Sequence, residues 1–173
     1  YGDNVTRMLR VQYRMNEKIM NWASDCMYEG KLLADSSVAS HLLKDLGHQK
    51  KEEGGGGSAI DDDDDALINI PLLLIDTAGC GFEESQEEAK TSTILSGMSK
   101  YNTAEAHILA KLVHELADSG IKNSDIGIIS PYNAQVNLLR DLLLHEFPGL
   151  EISSVDGFQG REKEAIMLSL VRS

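Results

Sequence analysis

Apolar residues recur along this chain with two different periods, and the switches between them predict its elements. Residues 5–12 read as a short strand. Over 16–28 the apolar positions Ile19, Met20, Ala23 and Met27 fall at helical spacing. Ser36 or Ser37 is placed to cap a further short helix through Val38, Leu42, Leu43 and Leu46, with Gly47 as its stop. The pattern then collapses from 47 to about 66. A charged stretch, four consecutive glycines and a run of five aspartates follow one another there. Such a segment buries too little apolar surface to offset its ordering entropy, so 47–66 is expected to be a disordered Gly/Asp-rich insertion or linker.

Order is predicted to return at Pro71. Leu72, Leu73, Leu74 and Ile75 form an apolar run ending at Asp76, which reads as a buried strand. Residues 81–100 are polar and expected as a loop. Asn102 with Glu105 three positions on resembles a capping box. The helix it opens carries Ile108, Leu109, Leu112, Val113 and Leu116 and should stop at Gly120. A strand over 126–130, a helix over 131–147, a strand over 150–155, a tight glycine-containing loop over 156–161 and a strand over 165–171 complete the pattern. This alternation predicts an α/β fold with a parallel sheet flanked by helices. Ligands of such sheets sit beyond the carboxyl ends of the strands, which directs attention to Asp76, Ser130 and residues 155–162.

Composition narrows the picture only in part. The chain has 173 residues and a formal net charge of −12, which argues against tight free-standing binding to nucleic acid. Much of the acid is local, in residues 61–65 and in Glu83, Glu84, Glu87 and Glu88. Net charge describes the long-range field rather than the surface of one cleft, so a narrow contact surface stays open. Two distant cysteines, Cys26 and Cys80, suggest a reducing compartment and no disulfide framework. No apolar run approaches the roughly 20 residues of a membrane span, so no membrane partner is expected.

Four segments carry candidate chemistry. Asp76-Thr77-Ala78-Gly79 after an apolar run is reminiscent of a GTPase magnesium motif. That reading requires an upstream phosphate loop of the form G-x-x-x-x-G-K-[ST], which this sequence lacks, and a plain turn is the better reading. Gln12-Tyr13-Arg14-Met15 sits at a strand-to-helix junction. There Tyr13 can offer a stacking face and Arg14 a cation for phosphate, although taken alone such a pair is more often a packed Tyr beside a surface Arg. Ser130-Pro131-Tyr132-Asn133 opens a helix whose free N–H groups suit a phosphate and whose Tyr132 can stack on a base; an ordinary proline start is the alternative. In Ser154-Val155-Asp156-Gly157-Phe158-Gln159-Gly160-Arg161-Glu162, the glycines permit close backbone approach to a phosphate or sugar. The alternative there is a tight connection with Phe158 in the core. His107 and His114 are not spaced as metal ligands, and no metal site is expected in this chain.

Taken together in this order, with Val171-Arg172-Ser173 at the end, these segments resemble the second RecA-like domain of superfamily 1B helicases, in the group containing the nonsense-mediated decay helicase. The resemblance spans nearly the whole chain. It fails in the Gly/Asp stretch and is weak over 82–101. It implies a RecA-like, P-loop NTPase-type domain that lacks its own phosphate loop. Residues 1–173 would form a partial second motor domain with motifs IV and V present and motif VI beyond its end. By that match Arg14 is the catalytic arginine reaching the γ-phosphate of ATP, and Tyr13 packs on the adenine. Gly160 and Glu162 lie near the sugar and phosphates. Ser130, Pro131 and Tyr132, with Ser154 and Val155, face single-stranded RNA or DNA. ATP would be bound with Mg2+, whose ligands the first RecA-like domain of the same protein would supply. A 5′-to-3′ motor in cytoplasm, nucleus or both is implied, with this chain alone inactive. A non-catalytic α/β interaction or regulatory module is the competing reading, favoured by the acidity and the missing phosphate loop.

Overall fold

The computed structural model describes residues 7–46, 66–86 and 99–172. The 47–65 part of the expected insertion and the start of the first expected strand lie outside them. The chain divides into two compact units, one built mainly from residues up to 74 and the other from residues 75 onward.

In the first unit, β1 (Val11–Gln12) pairs in parallel with β2 (Leu33–Ala34). Between them runs α1 (Glu17–Met27), capped by Asn16, whose side-chain oxygen accepts from the Lys18 N–H. Asn16 also donates to the His41 carbonyl at 2.9 Å, tying the cap to the following loop. Met20 and Ser24 are buried on α1, whereas Ile19, Trp22 and Met27 are exposed. The helix expected after Ser36 is reduced to a 3-10 turn at Leu43–Leu46. The reason is local: the Asp35 side chain accepts from both the backbone N–H and the hydroxyl of Ser37, which holds an Asx turn where a helix would begin. A second 3-10 turn spans Leu67–Asn69.

The strand expected at 72–75 does not form. Leu72, Leu73, Leu74 and Ile75 are all exposed and pair with no strand among the described residues. Asp76 begins a turn in which its carboxylate accepts from the Ala78 N–H and Gly79 takes a positive φ of 78°.

The second unit carries the core. Its first elements, β3 (Ser85–Gln86) and β4 (Lys100–Tyr101), form a short antiparallel ladder inside the region expected as loop. Then come α2 (Thr103–Asp118), β5 (Ile126–Ser130), α3 (Asn133–Leu143), β6 (Glu151–Ser154), the single turn α4 (Val155–Phe158) and β7 (Ala165–Leu168). β5 lies in the middle of a parallel sheet of order β6-β5-β7. α3 packs on β5 and β6, and α2 packs on α3. Their buried stripes, Ala106, Leu109, Val113 and Leu116 on α2 and Val136, Leu139 and Leu143 on α3, meet Ile126, Ile128 and Ile152 of the sheet in one core. Arg140 donates through Nε and Nη2 to the Ile152 carbonyl at 3.0 and 2.7 Å, fastening α3 to β6.

Several expected boundaries shift for identifiable reasons. α3 starts two residues after Pro131, because Tyr132 is extended and serves as its N-cap. The capping box at α2 is only half formed. Asn102 accepts from the Glu105 N–H, but the Glu105 carboxylate turns away to accept from the Leu170 N–H. The Gly-containing loop after β6 winds into α4, because the Ser154 hydroxyl accepts from the Gly157 N–H as a helix cap does. Among the described residues no helix is long and apolar enough to cross a membrane.

Candidate functional site

The first unit presents Tyr13 and Arg14 on a turn fixed by one side chain. Gln12 Oε1 accepts from the backbone N–H of Arg14 and of Met15, both at 2.8 Å, and its Nε2 donates to the Met15 carbonyl at 2.7 Å. A carboxamide is suited to this, since it supplies both an acceptor and donors. The turn between β1 and α1 therefore keeps one shape, and its two central side chains point outward. Tyr13 is 68% exposed, so within this unit it is not a packed core tyrosine. Arg14 is likewise exposed.

The second unit gathers its candidates at the carboxyl edge of the sheet. Ser130 and Ser154 are register partners on β5 and β6, so two motifs distant in sequence end side by side. Ser130 is fully buried, and its hydroxyl accepts from the Tyr132 N–H at 3.3 Å. Its contribution is to hold the turn that places Pro131 at the surface and Tyr132 half-buried beside it. Val155 is 57% exposed at the start of α4. An open depression of about 490 Å³ lies between β5, β7 and α4, lined by Ile129, Val155, Asp156, Phe158, Gln159 and Leu168.

Phe158 is buried against β5, where a Cβ on Gly127 would come within 2.8 Å of its ring. The glycine-rich stretch is thus a tight connection with Phe158 in the core, and it also leaves a surface. Gly160 has φ of 80°, and no atom would meet a Cβ there within 4 Å. Backbone conformation rather than crowding calls for glycine at 160, and the space beside it is open to a ligand. Glu162 follows on the exposed side. Tyr13 and Arg14 belong to the first unit, and Gly160 and Glu162 to the second.

Sequence reasoning passed over two sets of residues. Gln135 is completely buried. Its Oε1 accepts from the Asn102 N–H at 2.9 Å, and its Nε2 donates to the Asn102 carbonyl and to the Ser169 hydroxyl. One amide thereby joins the start of α2, the first turn of α3 and the end of β7. A signal existed: Gln135, Leu139 and Leu143 are four apart and share the buried stripe, so a polar residue there had to find partners. The second set is Glu84, Lys100 and Arg172. Glu84 accepts from Lys100 and lies 3.1 and 3.2 Å from Arg172 Nη1 through its two oxygens. The hydrogen bond from Lys100, aided by the charge of both cations, holds the Glu84 carboxyl below its ordinary value. Nothing in the sequence links positions so far apart. Among the described residues, no group of three or more His, Cys, Asp or Glu side chains is arranged to hold a metal ion.

Comparison with known proteins agrees with the motif resemblance. A profile of the AAA domain matches residues 2–173. The rat DNA-binding protein SMUBP-2 is 47% identical over 173 residues, covering 100% of this chain and 16% of that protein. The DNA polymerase alpha-associated DNA helicase A of Saccharomyces cerevisiae is 47% identical over 172 residues, covering 98% of this chain and 23% of its own length. The human DNA replication ATP-dependent helicase/nuclease DNA2 is 32% identical over 171 residues, with 95% of this chain and 15% of that protein covered. The chain therefore spans less than a quarter of each of these relatives. With the profile covering nearly every residue and the motif order shared with superfamily 1 helicases, the chain belongs to the AAA domain family as that superfamily carries it.

Proposed function

We propose that residues 1–173 form part of the second motor domain of an ATP-dependent helicase that moves 5′-to-3′ along single-stranded DNA or RNA. The observation that carries this reading is the register pairing of Ser130 with Ser154. It sets Pro131-Tyr132 and Val155 along one carboxyl edge of a parallel sheet, where α/β proteins bind their ligands. A backbone-tracking strand with bases stacked on an aromatic needs such a surface and little sequence preference.

In this reading Tyr13 stacks on the adenine of ATP, and Arg14 reaches the γ-phosphate from a turn that Gln12 keeps rigid. Gly160 and Glu162 approach the sugar and phosphates. The exposed aromatic, the exposed cation and the open space at Gly160 all fit a nucleotide. The described residues do not fit its Mg2+. The phosphate loop and the metal carboxylates are assigned to the first RecA-like domain of the same protein, and this chain alone is expected to show no ATPase activity. A motor of this kind works in the cytoplasm, the nucleus or both.

The test is ATP hydrolysis by the full-length protein with and without single-stranded oligonucleotide, comparing wild type with Arg14→Ala. An arginine that meets the transferred phosphoryl group is worth about 10³–10⁵ in rate in other enzymes. Strand-stimulated turnover that drops by orders of magnitude in the variant is the expected result. Stimulated turnover indifferent to the change would keep the motor and discard Arg14. No turnover by folded full-length protein would favour the interaction module.

A further inference from the structure

The carboxylate of Glu84 sits between two cations at the end of the sheet, next to the Tyr132 turn. Lys100 donates to Glu84 Oε1, and the single Nη1 of Arg172 lies 3.1 and 3.2 Å from the two carboxylate oxygens. Arg172 has the Tyr132 phenol as a second, weaker partner; with Glu84 the larger cause, both hold the guanidinium firmly protonated. Two positive charges thus face one negative charge beside an aromatic ring, in a chain whose overall charge is −12.

Both cations rest on anchored backbone. Lys100 lies between Ser99, whose hydroxyl accepts from the Ala134 N–H at 2.9 Å, and Asn102, whose N–H is held by Gln135. Arg172 follows Val171, which is fully buried with φ of 70°. A β-branched residue rarely adopts that conformation, and the sharp turn it makes brings Arg172 back to Glu84. By contrast, the Arg172 side chain is 61% exposed and Glu84 33%, so the pair opens to solvent.

A carboxylate and a phosphodiester each carry one negative charge spread over two terminal oxygens, and a guanidinium N–H donates to either one in the same way. Resting on the reading that Pro131-Tyr132 faces a single strand, we propose that Lys100 and Arg172 form a phosphate-binding pair for that strand, and that Glu84 fills the site as an internal substitute until a phosphodiester displaces it. The exchange is anion for anion and moves no proton, because the two cations keep Glu84 ionised well below neutral pH.

The experiment is fluorescence-anisotropy titration of the full-length protein with labelled oligo-dT and oligo-U, without nucleotide, across a series of salt concentrations. Lys100→Ala and Arg172→Ala should each weaken binding roughly two- to five-fold, as for a partly exposed charge contact. Each should also reduce the slope of log affinity against log salt by about 0.7, the value of one lost phosphate contact on a single strand. Glu84→Gln keeps the shape and removes the competitor, so it should tighten binding. This opposite sign is the discriminating feature, since a merely structural ion pair would be weakened by loss of either partner. Wild-type binding that is unchanged in all three variants, or weakened by Glu84→Gln, overturns the proposal and leaves the motor reading standing. If folded wild type binds neither oligonucleotide, the motor reading falls first and this site with it.

Discussion

Residues 126–129 and 72–75 are both short apolar runs followed by a polar residue ahead of a turn, yet only one becomes a strand. Ile126 and Ile128 are fully buried in the centre of a three-stranded sheet, whereas Leu74 is 89% exposed and its run pairs with no strand among the described residues. Two differences account for this. The first run is rich in isoleucine, which packs well on a pleated surface; the second is mainly leucine and follows a proline. More decisively, the first run lies in sequence between two amphipathic helices, of which α3 packs on it and α2 packs on α3. The second follows the acidic run at 61–65 and the short Leu67–Asn69 turn, and among the described residues no amphipathic helix adjoins it in sequence. Apolar content makes a strand available, and a partner makes it form.

The largest effect expected from that contrast comes from truncating one residue in each run. Ile128→Ala removes a side chain with no solvent exposure and should cost about 2–5 kcal/mol in urea denaturation of the chain. Leu74→Ala should stay within about 0.5 kcal/mol, as surface changes do. Comparable losses at the two sites would mean that 72–75 is buried against something, and the contrast would be void.

A smaller effect is expected where polar groups do the joining. Gln135→Leu keeps much of the volume but strands the Asn102 N–H and leaves the Ser169 hydroxyl without its donor. The cost should be about 1–3 kcal/mol, the penalty for a buried group left unsatisfied. Because β7 and α2 meet through this amide, amide exchange in residues 165–170 should accelerate more than in β6. Uniform acceleration across the sheet would show that Gln135 contributes general stability rather than this particular junction.

The legibility of the molecule follows the same division. The alternation of β5, α3 and β6 was readable because the apolar stripes of α2 and α3 adjoin these strands in the sequence. The pairing of Ser130 with Ser154 depends on the register of β5 against β6, which parallel direction alone does not set. The missing helix after Ser36 was hidden because Asp35 competes for the backbone through a local hydrogen bond that periodicity does not register. The Gln135 junction was half visible, as a polar residue on an apolar stripe whose partners the sequence could not name. Glu84, Lys100 and Arg172 were invisible, since exposed ion pairs between distant positions leave no pattern at all. Within the candidate site, the outward presentation of Tyr13 could not be foreseen either; it depends on Gln12 turning back on its own loop.

The smallest effect should appear in acid, at β6, the strand that pairs with residues 126–130. Glu151 opens β6 and pairs with Arg161 and with Lys163, the latter at 3.1 Å, while Lys163 also donates to the Ser124 carbonyl. Partial burial raises the Glu151 carboxyl, but the hydrogen bonds and charges of Lys163 and Arg161 outweigh it, and the net shift is downward from 4.5. A carboxyl lowered in the folded state favours folding above its unfolded value and loses that contribution as the pH falls through its folded value. Stability of the wild-type chain should therefore decline below about pH 4.5, with Glu151→Gln showing a shallower decline and lower stability at pH 7. The acid limb of each chain, followed by urea denaturation at stepped pH, measures the difference. Residues 72–75 carry no charge, so Leu74→Ala should leave the acid limb of the wild type in place. If Glu151→Gln declines as steeply as wild type, the ion pairs at the start of β6 are surface decoration, and packing alone holds β6 beside residues 126–130.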